Sequence, residues 1–260
     1  MKIAVISTDC GLGRATVSAT IAHAIAKSGG ADVLLTYAGE VSPFNKILNC
    51  ESDDTGTRSI SLISKLIQSN SFGLEGIRNY CPKIIPNLYY LDTTLGVYKR
   101  EEVESSLEYV LSNNATDVVV CDVSLPMEDE LTTTILEYSD VIILVTNPGL
   151  KYLENARRLL EDYDAILKEK CALFINRYSE DISSTRAMAA TVGIEHRNTC
   201  KLHYNPYFIT FSNKGNLSQI YDLAYVKDIR ALSLFADIKE ILSFVSARIG
   251  RKLKWGVQKE

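Results

Sequence analysis

The stretch Ile3-Ala-Val-Ile-Ser7-Thr-Asp-Cys-Gly11-Leu-Gly13-Arg-Ala-Thr16 decides the fold of this chain. Its first four residues are all apolar, which predicts a buried strand of a parallel sheet. Gly11 and Gly13 permit a tight turn with positive φ angles, which residues with a side chain resist. A predicted helix follows to about Ser28 and stops at Gly29-Gly30. Because free N–H groups and the positive end of the helix dipole meet at such a turn, the stretch predicts an anion-binding site.

A phosphate-binding loop of the form G-x-x-x-x-G-K-[ST] supplies a lysine for the β- and γ-phosphates and a hydroxyl for Mg²⁺. In this chain the lysine position holds Arg14, the hydroxyl position holds Ala15 and the leading glycine position holds Thr8. The stretch therefore predicts a phosphate loop with altered chemistry. The residues of the loop expected to bind nucleotide are Cys10, Gly11, Leu12, Gly13, Arg14, Ala15 and Thr16.

Length and composition predict one soluble domain over residues 1–260. Hydrophobic residues make up 46% of the chain and charged residues 23%, as in ordinary globular proteins. A net charge of −4 gives no strong signal for nucleic-acid binding. The six cysteines are scattered without a C-x-x-C pair, which argues against a zinc site or a disulfide framework. With neither a signal-peptide pattern nor an apolar run long enough to span a membrane, we expect a cytoplasmic protein.

Apolar runs alternate with amphipathic helical patterns along the chain. Beyond the first strand, the predicted strands are 32–37, 87–91, 117–122, 140–146 and 171–176. The predicted helices are 60–68, 101–111, 151–168, 184–192, 222–232 and 234–249, and 204–211 is predicted as mixed strand and loop. The alternation predicts an α/β fold, with a mostly parallel central sheet and helices on both faces.

Ligands of such sheets bind at the carboxyl ends of the strands. Asp122, Asn176-Arg177 and Asn205-Pro206 stand at or after predicted strand ends and are candidate binding residues. Asp122 either coordinates Mg²⁺ through water or caps the next turn, and the sequence leaves both readings open. The histidines show no spacing that suggests a metal site or a triad, and His23 is predicted to be solvated on the first helix.

The order of these pieces resembles the ParA/MinD family of P-loop ATPases over nearly the whole chain. The deviant Walker-A loop of that family, K-G-G-x-G-K-T-T, aligns with residues 9–16, and Val119-Val-Cys-Asp122 resembles its Walker-B stretch. Phe174-Ile-Asn-Arg177 resembles the strand end whose asparagine reads adenine, and Asn205-Pro206 resembles the start of the loop that covers the base. The resemblance implies a P-loop NTPase fold, ATP or ADP as the bound nucleotide, and a homodimer.

The departures from the family pattern fall on its catalytic positions. Asp9 stands where the family has the lysine that reaches across its dimer. The two carboxylates that the family places after its second strand align with Tyr37 and Gly39, although Glu40 would substitute if the alignment shifted by one residue. A unit-charge pair near 4 Å is worth roughly 4 kcal/mol at an effective dielectric of about 20, so Asp9 weakens the binding of a triphosphate. Because phosphoryl transfer depends on positioning and charge neutralisation, we expect little ATP hydrolysis and doubtful Mg²⁺ binding.

The last part of the chain, about 234–255, is predicted as a basic amphipathic helix. Val245, Ile249 and Leu253 recur at four-residue spacing among basic residues, as in helices that lie on membrane surfaces. The residues expected to contact a membrane or a partner are Arg248, Ile249, Arg251, Lys252, Leu253 and Trp255. A helix docked on the core, followed by a solvated basic tail, is the alternative.

The leading hypothesis is an atypical ParA/MinD-like positioning or assembly factor with a degenerate ATPase site. Atypical members similar to TadZ/CpaE localise pilus or secretion machinery, which implies a protein partner in a membrane-associated assembly at the inner face of the cell membrane. An active ATPase for plasmid or chromosome partition is the first alternative. A dinucleotide-binding enzyme is the second, since Gly11-x-Gly13-x-x-Thr16 approaches G-x-G-x-x-G but lacks the third glycine.

Overall fold

The computed structural model describes residues 1–49, 60–71, 76–113, 116–250 and 253. The strands are β1 (Lys2–Ser7), β2 (Val33–Ala38), β3 (Lys83–Ile85), β4 (Leu88–Leu91), β5 (Val118–Val123), β6 (Val141–Thr146), β7 (Cys171–Tyr178) and β8 (Thr199–His203). The helices are α1 (Arg14–Lys27), α2 (Phe44–Ile47), α3 (Ile60–Gln68), α4 (Arg100–Ser112), α5 (Glu130–Tyr138), α6 (Leu150–Asp162), α7 (Asp164–Leu167), α8 (Thr185–Val192), α9 (Tyr207–Asn213), α10 (Ser218–Tyr225) and α11 (Leu232–Ile249).

The eight strands of the described residues form one sheet in the order β3-β4-β2-β5-β1-β6-β7-β8. Of the pairs between these strands, β3–β4 at the edge is antiparallel and the others are parallel. β1 lies in the interior of the sheet, paired in parallel with β5 on one side and β6 on the other. The carboxyl ends of β1, β5, β6 and β7 therefore meet at one edge, where the loop after β1 also lies.

Helices cover both faces of this sheet, because the strands are apolar on both sides. Ile3 and Val5 of β1 belong to the core on the face that carries α1, α10 and α11. Ala4 and Ile6 belong to the core on the opposite face, with α3, α4, α5 and α8. This alternation follows from the two-residue period of a strand. The predicted α/β fold, a mostly parallel sheet between two helical layers, is confirmed.

Three predicted elements were wrong in kind or extent, namely 151–168, 204–211 and 222–232; in the last, α10 ends at Tyr225 and α11 begins only at Leu232. The segment predicted as mixed strand and loop, 204–211, instead contains most of α9, which begins directly after Pro206. The edge strand β8 just before it was not predicted. The single helix predicted over 151–168 is interrupted at Tyr163, between α6 and α7.

The prediction that His23 is solvated was also wrong. The His23 side chain is fully buried, and its ring stacks on Tyr221 with ring centroids 4.3 Å apart. Nδ1 lies 2.8 Å from the carbonyl oxygen of Ala19, which can only accept, so Nδ1 carries the hydrogen. Nε2 then accepts from the hydroxyl of Ser218 at 2.9 Å. Burial lowers the pKa of His23 to about 4, so the ring is neutral at physiological pH.

The helix at the end of the chain is docked on the body of the protein. α11 ends at Ile249, where Gly250 adopts a left-handed conformation with φ of 64°. Val245 and Leu253, two of the three residues of the predicted apolar stripe, are 2% and 7% exposed. Among the described residues, no helix combines the length and apolar character that a membrane span requires.

Candidate functional site

The loop after β1 has the geometry that its glycines predict. β1 ends at Ser7, and Gly13 stands immediately before α1 with φ of 86°. Gly11 also has a positive φ, 78°, and is exposed together with Cys10. The Leu12 side chain between the two glycines is 2% exposed and anchors the loop in the core. The first N–H groups of α1 have no partner within the helix, so Arg14, Ala15 and Thr16 begin an anion-binding helix terminus.

Asn176, at the end of β7, fastens this loop to the sheet. Its side chain is 5% exposed, and Nδ2 donates to the carbonyl oxygen of Leu12 at 2.7 Å. A Cβ atom at Gly13 would lie 2.1 Å from the same Nδ2. Gly13 is therefore required for its close approach to Asn176 as well as for its φ angle.

A cavity of about 240 Å³ lies beside the loop, between the ends of β7 and β8 and helix α9. Five of the predicted binding residues line it, so the structure brings them together as expected from the topology. They are Gly13, Thr16, Asn176, Arg177 and Asn205. His203, Tyr204 and Phe208 also line it, and the sequence had assigned no role to His203. An aromatic and polar pocket at this edge suits a planar ring such as a nucleotide base.

The wall of the cavity at Asn205 and His203 is fixed by hydrogen bonds. Asn205 Oδ1 accepts from the backbone N–H of Tyr207 at 2.9 Å, while Nδ2 donates to the carbonyl oxygen of Arg230. Asn205 thus caps the turn in which Pro206 leads into α9. His203 Nδ1 lies 2.7 Å from Asp237 Oδ1 on α11. Burial raises the pKa of Asp237.

On the other side of the loop, Arg14 forms an ion pair with Asp122. Arg14 Nε lies 2.7 Å from Oδ1 of Asp122, and Arg14 Nη1 donates to the hydroxyl of Ser7 at 3.2 Å. The other carboxylate oxygen, Oδ2, accepts from the hydroxyl of Ser18 at 2.9 Å. Asp122 is fully buried, and burial raises the pKa of its carboxyl while Arg14 lowers it. Sequence reasoning missed Ser18, although it lies one turn after Arg14 on the same face of α1.

Tyr37 lies near the end of β2, at a position that aligns with a carboxylate of the resembled family. Tyr37 pairs with Asp122 across the β2–β5 ladder and is 3% exposed. Its hydroxyl is hydrogen-bonded to Ser124, and burial raises the pKa of the phenol, which stays neutral. Glu40, the possible substitute acid, follows β2 and is exposed. The end of β2 therefore presents a neutral phenol beside Asp122.

Asp9 places a negative charge at the start of the loop. Its Oδ2 accepts from the hydroxyl of Thr8 at 2.9 Å and from Nδ2 of Asn155, on α6, at 3.1 Å. No cation of the described residues lies within ion-pair distance of Asp9. The negative charge that Asp9 places in the loop therefore has no counter-charge among the described residues.

These groups do not fit a Mg²⁺ ion. The ion prefers oxygen ligands in octahedral geometry, but Ala15 has no hydroxyl and Tyr37 replaces an acid. Both oxygens of Asp122 are occupied by Arg14 and Ser18. Elsewhere in the described chain, no group of three or more potential ligands from His, Cys, Asp and Glu comes together. The helix terminus and the adjoining cavity, which a nucleotide would require, are both formed.

A larger cavity, of about 570 Å³, lies at the opposite edge of the sheet. It is lined by Asp117 and Asp140, at the amino ends of β5 and β6. Both carboxylates already accept backbone N–H groups, from Asp32 and Lys2 respectively. Because ligands of parallel sheets bind at the carboxyl ends of the strands, the smaller cavity beside the loop is the better candidate.

The comparisons with known proteins agree with this geometry. The chain matches no protein-family model and no curated protein. It is similar to the structure of a ParA family ATPase from Chlorobium tepidum, with a TM-score of 0.69 and 17% identity over 92% of this chain and 98% of that one. The chain has the MinD/ParA fold. At such identities the likeness establishes the fold and leaves the chemistry of the site to its own residues.

Two MinD structures match equally well. One belongs to the MinC:MinD cell division complex of Aquifex aeolicus, with a TM-score of 0.68 and 17% identity over 93% of this chain and 96% of that one. The other is MinD of Pyrococcus horikoshii complexed with Mg-ADP, with a TM-score of 0.64 and 17% identity over 95% and 98%. The P-loop NTPase fold implied by the sequence is thereby confirmed.

The residues predicted to contact a membrane or a partner lie near the end of the sequence, more than 200 residues after this loop. Arg248 donates to Oδ1 of Asn198 at 2.8 Å and lies over the ring of Phe244, so its guanidinium is held by the protein. Ile249 ends α11, and Leu253 is buried. Arg251, Lys252 and Trp255 lie outside the described residues.

Proposed function

We propose that this protein is a positioning or assembly factor that uses the MinD/ParA scaffold to hold ATP or ADP with little hydrolysis. The observation that carries the proposal is the ion pair between Arg14 and Asp122. It occupies the two positions at which the resembled family has its phosphate lysine and its Walker-B carboxylate. A carboxylate engaged by an internal guanidinium is withdrawn from metal chemistry, while the loop and cavity that accommodate a nucleotide are retained.

Among the described residues, the site differs from the resembled family at three positions that serve phosphoryl transfer. Such catalysis relies on cations that neutralise developing charge and on a residue that orients the attacking water. Asp9 adds negative charge, Ala15 removes a metal ligand and Tyr37 removes an acid. An active partition ATPase, the alternative function, requires all three contributions, so a binding role has the better support.

The proposed role depends on binding to other proteins rather than on hydrolysis of ATP. We infer that a homodimer presents its surface to a protein partner in a membrane-associated assembly, such as pilus or secretion machinery, on the cytoplasmic side. Support for a partner comes from MinD of Aquifex aeolicus, whose structure was determined as a complex with MinC. Peripheral contact with the membrane through the basic end of the chain belongs to the same proposal.

Fluorescence microscopy of a tagged chain in its native cells tests the positioning role. We expect foci at fixed cellular sites, and unchanged foci for Arg14→Lys, because the role does not depend on turnover. Arg157→Lys, an exposed arginine of α6, is the matched control. A uniform signal, or movement along the nucleoid that Arg14→Lys abolishes, would contradict the proposal and favour a partition ATPase.

A further inference from the structure

Arg14 places a positive charge at the proposed nucleotide site, and hydrogen bonds to neighbouring residues hold its side chain in place. Arg14 is fixed at two points, through Nε to Asp122 and through Nη1 to Ser7. Its side chain is 18% exposed, so Arg14 is mostly but not completely buried. Nη2 donates to no atom of the part of the chain that the structure describes, which leaves its hydrogens available to a ligand.

A divalent ion could enter only by displacing this guanidinium. Asp122 is fully buried, and each of its carboxylate oxygens already accepts a hydrogen bond, one from Arg14 and one from Ser18. Breaking the pair would leave the positive charge of Arg14 unpaired in a mostly buried place, which is strongly unfavourable. Mg²⁺ also sheds its water reluctantly and would find no hydroxyl at Ala15.

The charges around the loop limit the number of phosphates. Arg14 is one cation, and its charge is already balanced by Asp122. Asp9 is held beside the loop by Thr8 and Asn155 and repels each further phosphate. Arg177, at the bulge near the end of β7, adds one exposed cation on the side of the cavity. Without a metal ion, this balance favours a diphosphate over a triphosphate.

We propose that Arg14, fixed by Asp122, is a built-in counter-ion that takes the place of Mg²⁺, so that the loop binds a metal-free nucleoside diphosphate. This inference rests on the proposed function, because it concerns the same nucleotide site. The N–H groups at the start of α1 and the free edge of the guanidinium receive the phosphates. The cavity beside Asn176 receives the base.

Calorimetric titration of the full chain with ADP, once in Mg²⁺ and once in EDTA, tests the inference. We expect dissociation constants that agree within about twofold. ATP in EDTA is expected to bind about tenfold more weakly than ADP. Binding of ADP to the wild-type chain that is about tenfold tighter in Mg²⁺ would overturn the inference and leave the proposed nucleotide-holding role intact.

Two variants make the result specific to Arg14. Arg14→Lys/Ala15→Thr restores a compact ammonium and a hydroxyl and releases Asp122, so ADP binding should become about tenfold tighter in Mg²⁺ than in EDTA. Arg14→Gln should lose ADP binding, whereas Arg157→Gln on the exposed face of α6 should bind as the wild type does. If Arg14→Gln binds ADP normally, Arg14 is not the counter-ion.

Two further outcomes are informative. ATP that binds more tightly than ADP in EDTA would overturn the assignment of a diphosphate ligand. A folded wild-type chain that binds neither nucleotide under either condition would overturn both this inference and the nucleotide-holding part of the proposed function. Circular dichroism of each titrated sample establishes that the chain is folded.

Discussion

At the scale of single residues, the loop is defined by how closely Gly13 approaches Asn176. Both loop glycines have positive φ, yet only Gly13 has a neighbour within 4 Å of an added Cβ atom. Substituting each glycine in turn therefore separates the free-energy cost of backbone strain from the cost of losing the contact between Asn176 and Leu12.

We predict that Gly11→Ala lowers the free energy of unfolding by about 1 kcal/mol, because only the left-handed backbone is penalised. Gly13→Ala should lower it by about 3 kcal/mol, because Asn176 is also displaced and its buried amide loses a partner. Urea denaturation followed by circular dichroism measures both values. Equal effects of the two substitutions would mean that the contact with Asn176 adds nothing to stability.

The burial of His23 predicts how the free energy of unfolding depends on pH. Its pKa is about 4 in the folded chain and near 6.5 when unfolded, because burial disfavours the charged ring. Below pH 6.5 the unfolded chain therefore binds a proton that the folded chain does not, so stability falls as pH decreases towards 4. This one group should reduce the free energy of unfolding by about 2 kcal/mol between pH 7.5 and pH 5.

Urea denaturation at the two pH values measures this effect in the wild type and in His23→Asn. The asparagine keeps polar atoms for Ala19 and Ser218 but does not titrate, so the loss on acidification should shrink by about 2 kcal/mol. His196→Asn is the matched control, since His196 is exposed. If His23→Asn and the wild type show the same pH dependence, the ring is not held neutral by burial.

At the scale of elements, the sequence predicts the strands that have a continuous apolar run. β1, β5, β6 and β7 are buried on both faces, and their uniform apolar sequences identify them. α5 was missed because its Thr-Thr-Thr-Ile run favours strands, although Asp129 caps it by accepting from the N–H of Leu131.

The region 199–213 shows why tertiary context decides some elements. β8 is an edge strand that contains Lys201 and His203, so it lacks the apolar run of a central strand. Tyr207 to Phe211 has strand-like composition, yet the segment is helical because Pro206 starts the helix and Phe208 and Phe211 pack into the core.

The docked position of α11 predicts the character of any membrane contact. Val245 and Leu253 are buried, so we expect contact to rest on the basic side chains Arg251, Lys252 and Lys254. Each basic residue contributes about 1 kcal/mol near an anionic surface, and salt screens this attraction. Binding to phosphatidylglycerol vesicles, measured by co-sedimentation, should therefore disappear at about 1 M salt.

Two triple variants, each of which removes three positive charges from a different part of the chain, form a matched comparison. Replacing Arg251, Lys252 and Lys254 by Gln should abolish vesicle binding at low salt. Replacing the exposed residues Arg157, Lys168 and Arg197 by Gln should leave it unchanged. Binding that persists at high salt would mean that apolar residues of α11 leave the core and enter the membrane.

At the scale of the whole molecule, this chain has the MinD/ParA fold and carries an ion pair between Arg14 and Asp122 beside the loop after β1. The fold class could be predicted from the apolar runs and their alternation with helical patterns along the chain, although the matched structures are only 17% identical. The chain order also indicated which residues meet at the sheet edge. The direction of the Arg14 side chain could not be predicted, because it depends on Ser7, Ser18 and Asp122 meeting in three dimensions.

We expect that this chain, in which the Asp122 carboxylate is paired with Arg14, does not turn over ATP. The most direct test is single-turnover phosphate release from Mg-ATP by the purified full chain, beside Asp122→Asn. We expect the wild type to release no more phosphate than buffer alone and not to differ from Asp122→Asn. Phosphate release by the wild type that disappears in a folded Asp122→Asn variant would contradict this expectation, because Asp122 would then be serving catalysis.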